Sequence, residues 1–88
     1  MSRVKLYCTR TCSYCIRAKE LLDRKHIAYE VIDVSGDEET RDWLYATTGR
    51  STVPQVFIDG EAIGGYRELC VLDRTGDLEK RFAPALPE

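Results

Sequence analysis

Hydrophobic and polar positions recur with two different periods along the chain. Val4 and Leu6 stand two apart, which puts both on one face of a short strand over residues 4–7. A polar loop follows as far as Ser13. From residue 14 to residue 25 the apolar positions Cys15, Ala18, Leu21 and Leu22 recur at helical spacing. Arg17, Lys19, Glu20, Asp23 and Arg24 fill the opposite side, so the spacing predicts an amphipathic helix. His26 comes after its last turn as a C-terminal cap residue. Residues 28–34 carry Val31, Ile32 and Val34 and read as a second strand. Two strands joined by a helix form a β-α-β unit, which runs parallel with a right-handed crossover.

Ser35-Gly36-Asp37 breaks the pattern, and Asp37 is placed to cap a second helix. Glu38, Glu39 and Asp42 load the start of that helix with the charge its dipole favours. Trp43 and Leu44 supply its apolar side, and Gly49 ends it. Residues 52–58 and 61–63 are apolar runs flanking Asp59-Gly60, a strong hairpin signal. Gly64-Gly65 opens a third helix with Tyr66, Leu69 and Leu72 on one side. Gly76 interrupts that helix, Leu78 and Phe82 are expected to pack back, and the tail at residues 83–88 is expected to fray. The predicted order β-α-β-α-β-β-α describes an α/β protein: a four-stranded mixed sheet with helices on both faces.

Size and charge narrow the picture. Eighty-eight residues make one small domain spanning 1–88. A net charge of −2 without a basic stripe argues against nucleic acid as a partner. The apolar runs are too short to cross a membrane. The N-terminal residues enter a strand pattern directly, with no signal-peptide core, so a cytoplasmic location is the expectation.

The chemistry lies in the cysteines. Cys12 and Cys15 stand two residues apart where a loop becomes a helix, and such a pair can open and close a disulfide. Free amide groups at a helix start favour a negative sulfur, and the thiolate is the nucleophile. Cys12 is therefore the expected attacking thiol and Cys15 the thiol that resolves its mixed disulfide. The alternative is a structural zinc site that also recruits Cys8 and Cys70, although those two form no second close-spaced pair. Cys8 and Cys70 otherwise read as small buried hydrophobes, with Cys8 also open to a role as a redox-sensitive regulator.

Four segments line up in order: a strand leading into Cys12-Ser13-Tyr14-Cys15, then Thr52-Val53-Pro54, then Asp59-Gly60, then Gly64-Gly65-Tyr66. Together they resemble glutaredoxins, the glutathione-dependent branch of the thioredoxin fold, across roughly residues 3–82. The resemblance implies a sheet with the first strand beside the second and the hairpin on its other side. It also implies a cis Val53–Pro54 peptide that presents the Val53 backbone to an extended substrate. The implied activity is reduction of disulfides and glutathione mixed disulfides through Cys12 and Cys15, with glutathione as co-substrate and disulfide-containing proteins as partners. A reductase-linked redoxin on the same fold is the competing electron route.

By the same resemblance, Tyr14 forms an aromatic wall beside the thiol, though plain helix packing would also account for it. Thr52, Val53 and Pro54 border glutathione, with Val53 taking its cysteinyl backbone. Gly65 and Tyr66 offer N–H groups to the γ-glutamyl carboxylate. Arg41 is a candidate for the glycine carboxylate or simply a solvated charge. Ser13 stands where many glutaredoxins have proline. It either tunes the redox potential or marks a chain that holds a two-iron two-sulfur cluster between two protomers, with Cys12 as iron ligand. A monomer is implied, or a dimer when a cluster is bound. Two positions depart from the family. Thr9, followed by Arg10, replaces a lysine three residues before Cys12. Arg67 replaces an aspartate that meets the γ-glutamyl ammonium, and a cation there repels an ammonium unless it pairs with the carboxylate instead.

Overall fold

In the computed structural model, which describes residues 2–82, the strands β1 (Val4–Cys8), β2 (Tyr29–Asp33), β3 (Gln55–Ile58) and β4 (Glu61–Gly64) form one sheet in the order β2-β1-β3-β4. β1 runs parallel to β2, with Val4 opposite Tyr29 and Cys8 opposite Asp33. It runs antiparallel to β3, with Val4 opposite Ile58 and Tyr7 opposite Gln55. A register shift at Val56/Phe57 bends the β3–β4 hairpin. The anticipated mixed sheet is therefore the observed one. The tail expected to fray lies outside the described residues.

Alternation along β1 and β3 divides the core in two. Val4, Leu6 and Cys8 with Val56 and Ile58 face the helices α1 (Ser13–Arg24), α3 (Tyr66–Thr75) and α4 (Asp77–Phe82), against Cys15, Ala18, Leu21, Leu22, Leu69 and Leu78. Tyr7 and Phe57 point the other way, onto Leu44 of α2 (Glu38–Thr48). Each fully buried aliphatic side chain stabilises the fold by roughly 1.5–3 kcal/mol, so the first face, with more of them, is the stronger anchor. α2 buries only Leu44, and Trp43 is 47% exposed rather than enclosed. It stacks on Phe57 with ring centroids 5.7 Å apart and tilts against Tyr7. An aromatic lying flat on a sheet keeps one face in water.

The ends of α1 and α2 are set by single residues. His26 adopts φ 59°, its N–H donates to the Asp23 carbonyl, and the Ile27 N–H reaches back to Leu22. These are the two bonds of a Schellman stop, and Ile27 packs with Leu22 in the core. Asp37 caps α2 by accepting from the Thr40 N–H at 3.1 Å and the Thr40 hydroxyl at 2.7 Å, which holds its carboxyl below the usual range. Past Gly76, at φ 80°, the chain does more than pack back. It forms α4, whose buried Leu78 ties it to the sheet and whose Arg81 pairs with Glu61 and Asp77.

Candidate active site

The site sits where β1 ends and α1 begins. Cys12 is the N-cap residue of α1, with extended backbone (φ −94°) and no capping bond from its side chain. The first amides of the helix are thus not capped by residue 12, which favours negative charge close to its sulfur. The Cys12 thiol is half-buried and donates to the Val53 carbonyl at 3.4 Å. The Val53–Pro54 peptide is cis. Buried Gln55 braces this turn by donating to the Thr52 carbonyl at 2.8 Å, a supporting role the sequence did not announce.

Cys15 lies one turn into α1 and is 1% exposed. Burial, then its interactions with Cys8 and Cys12, pushes its thiol well above the ordinary cysteine range. Burial raises the Cys8 thiol as well. Among the described residues no group of three or more His, Cys, Asp or Glu is arranged to hold a metal ion. Cys70, read as a buried hydrophobe, is only half-buried, on α3 against Tyr66.

Beyond Val53 a groove of about 660 Å³ opens, bordered by Tyr14, Thr52, Pro54, Gly65, Tyr66 and Arg67. Cys12 borders a smaller cleft on its β2 side, and the groove reaches it at the Val53 carbonyl. Tyr14, 54% exposed, lies 6.0 Å ring to ring from Tyr66, with the Arg17 guanidinium over its outer face. It is a wall rather than a core residue. Arg41 hydrogen-bonds the Ser51 carbonyl at 3.4 Å and lines a neighbouring cavity of about 390 Å³, which shares Thr52 and Val53 with the groove. Arg10, after Thr9 in the active loop, lines the cleft on the β2 side. It approaches Asp33 at 3.9 Å on the β2 side.

The start of α3 differs from expectation. The Gly65 N–H is not open; it donates to Glu68 Oε1 at 2.8 Å. Glu68 in turn makes two hydrogen bonds to Arg50, both 3.2 Å, and these contacts hold its carboxyl down at about 2. The amides of Tyr66 and Arg67, in the first turn of α3, have no intrahelical acceptor. Arg50, Glu68, Cys70 and Arg74 also line the groove, and sequence reasoning assigned none of them to it.

A family model described as Glutaredoxin matches residues 4–63. The chain belongs to the glutaredoxin family. It is 40% identical over 79 residues to Glutaredoxin 3 of Escherichia coli K12, covering 90% of this chain and 95% of that one. It is 42% identical over 79 residues to a glutaredoxin of Pseudomonas aeruginosa, covering 90% and 94%. The structure superposes on a buckwheat glutaredoxin–glutathione complex with a TM-score of 0.87 at 30% identity, covering 91% of this chain and 76% of the other. Glutaredoxins are thiol oxidoreductases, and Cys12 and Cys15 of this one stand where a loop becomes α1.

Proposed function

We propose that this glutaredoxin reduces disulfides through Cys12 and Cys15, drawing its electrons from glutathione. The observation that carries this reading is the pairing of a half-exposed Cys12 at an uncapped helix start with a buried Cys15 one turn behind it. The Cys12 thiolate attacks a substrate sulfur, forming a mixed disulfide and expelling the first thiolate. Cys15 then attacks the Cys12 sulfur, its proton passes to the departing substrate sulfur, and a Cys12–Cys15 disulfide remains. Two glutathione molecules return the dithiol and leave as glutathione disulfide. The raised Cys15 thiol suits a resolving role: it stays protonated until a mixed disulfide is within reach.

The groove supports glutathione as the electron source. An extended cysteinyl segment fits beside Val53, and its γ-glutamyl carboxylate suits the free amides of Tyr66 and Arg67. Arg67 then pairs with that carboxylate, while Glu68 offers the negative charge for the neighbouring ammonium, which Arg67 cannot. Arg41, across the Thr52–Val53 ridge, suits the glycine carboxylate. The test is turnover of a glutathione mixed disulfide with glutathione and glutathione reductase, compared with turnover driven by thioredoxin reductase. Faster turnover on the thioredoxin reductase arm contradicts the assignment of the electron donor.

The half-exposed Cys12 followed by Ser13 also suits iron–sulfur ligation. Of the Cys12–Cys15 pair only Cys12 is accessible, so a cluster would need a second copy and outside thiols. Anaerobic purification separates the readings. A brown dimer whose colour disappears in Cys12→Ser supports the cluster, and a colourless monomer after reconstitution with iron and sulfide removes it.

A further inference from the structure

Cys8 is not used by the dithiol cycle, yet it belongs to the same thiol cluster. As the last residue of β1 it points toward α1, on the face that holds Val4 and Leu6. Cys15 meets it from the first turn of that helix. Both are buried, at 2% and 1% exposure, within one contiguous core. The Cys15 thiol interacts with both Cys8 and Cys12. All three line a cleft of about 230 Å³ on the β2 side of the active loop, separate from the groove beside Val53. Three cysteines thus share one cleft, and of these only Cys12 is open to an incoming disulfide.

We propose that Cys8 is a third redox-active thiol, which takes the disulfide over from Cys12 by exchange at Cys15. The inference rests on the dithiol reading above, since it begins from the Cys12–Cys15 disulfide. The Cys8 sulfur attacks the Cys15 sulfur, the Cys8–Cys15 bond forms, the Cys12–Cys15 bond breaks, and the Cys8 proton ends on Cys12. No oxidant or reductant enters, because one disulfide and one thiol become another disulfide and another thiol.

Burial makes this exchange internal. An outside disulfide cannot reach Cys8, whereas Cys15 already adjoins it. Two features set its direction. The departing sulfur, Cys12, sits at the start of α1, where the helix favours negative charge, and better leaving groups leave faster. The two sulfurs that become bonded are the buried ones, which are the least stable as anions. The consequence is an oxidised chain with a free nucleophile. With its electrons withdrawn from the buried pair, Cys12 still attacks mixed disulfides singly, and the chain passes from a two-thiol to a one-thiol cycle.

Peptide mapping of the full chain tests this. The chain is oxidised with bis(2-hydroxyethyl) disulfide, quenched in acid at successive times, alkylated and cut with trypsin. Cleavage after Lys5, Arg10 and Arg17 leaves Cys8 in peptide 6–10 and both Cys12 and Cys15 in peptide 11–17. The expected result is early closure within peptide 11–17, then its replacement by peptide 6–10 joined to 11–17 through Cys15, with Cys12 alkylated or carrying a 2-hydroxyethylthio group. In Cys8→Ala the joined species is lost and Cys12 stays blocked. Persistent closure within 11–17, with Cys8 alkylated at every time, overturns the exchange and leaves the dithiol reading standing. Absence of any disulfide in these peptides overturns both.

Discussion

The Cys12 sulfur and the Val53 carbonyl oxygen, 41 residues apart in the chain, meet at 3.4 Å. A thiol satisfies that contact by donating to the oxygen, whereas a thiolate has no proton to offer it. Serine can preserve the bond, since its hydroxyl donates to the same carbonyl, but it is a far poorer nucleophile toward a disulfide. Cys12→Ser is expected to fold normally by circular dichroism and to lose roughly a thousandfold or more in kcat/KM for any disulfide substrate. Retained activity in a folded Cys12→Ser chain contradicts the assignment.

Cys15→Ser separates the two half-reactions. Without a resolving thiol, mixed disulfides with glutathione are still cleared by a second glutathione, whereas protein disulfides leave the enzyme trapped. The expected outcome is partial activity in a mixed-disulfide assay and near-complete loss in a protein-disulfide assay. Serine here also buries a hydroxyl among apolar neighbours, which costs about 1–3 kcal/mol, and a denaturant titration reads that cost directly. Equal loss in the two assays indicates that both substrate classes need the dithiol.

The Glu68 carboxyl, held at about 2 by Arg50 and the Gly65 amide, gives stability a defined pH dependence. A carboxyl lowered from its ordinary value of 4.5 contributes stability fully above that value, and loses it as pH falls toward about 2. In Glu68→Gln that contribution is absent at every pH. Wild type is expected to melt higher than Glu68→Gln near neutral pH, with the gap narrowing as pH falls from about 5 to about 2. A gap that widens on acidification would falsify the ion-pair account.

Gly64 makes room for the same carboxylate. Its φ is +123°, and a Cβ built there lies 2.7 Å from Glu68 Cγ. Gly64→Ala is expected to destabilise the chain by about 1–3 kcal/mol through backbone strain and to displace Glu68 from the Gly65 amide. Denaturant unfolding measures the first effect. The second appears as a loss of the Glu68→Gln pH signature in the Gly64→Ala background. An unchanged signature indicates that Glu68 does not depend on the space Gly64 leaves.

The β-α-β unit and the hairpin are legible in the sequence because each rests on local periodicity and on turn residues, down to the stop at His26. α4 is not, because six residues hold too little periodicity to register as a helix, and burial of Leu78 is what secures it. Trp43 reads as part of an apolar side, since a hydrophobicity pattern does not distinguish a core side chain from one stacked on Phe57. At the site, Cys12, Cys15 and the Val53–Pro54 turn emerge from motifs. Arg50 and Glu68 do not, because their pairing joins a loop to a helix 18 residues on. Nor can spacing reveal that Cys8 adjoins Cys15, since that contact depends on how α1 packs against β1.

The central claim is that Cys12 is the sulfur that meets substrate, and a trapped intermediate tests it most directly. Cys15→Ser incubated with glutathione disulfide, then digested and analysed by mass spectrometry, is expected to carry one glutathione in peptide 11–17, on Cys12. A glutathione found instead on Cys8 or Cys70, or no adduct on a folded chain, contradicts the account.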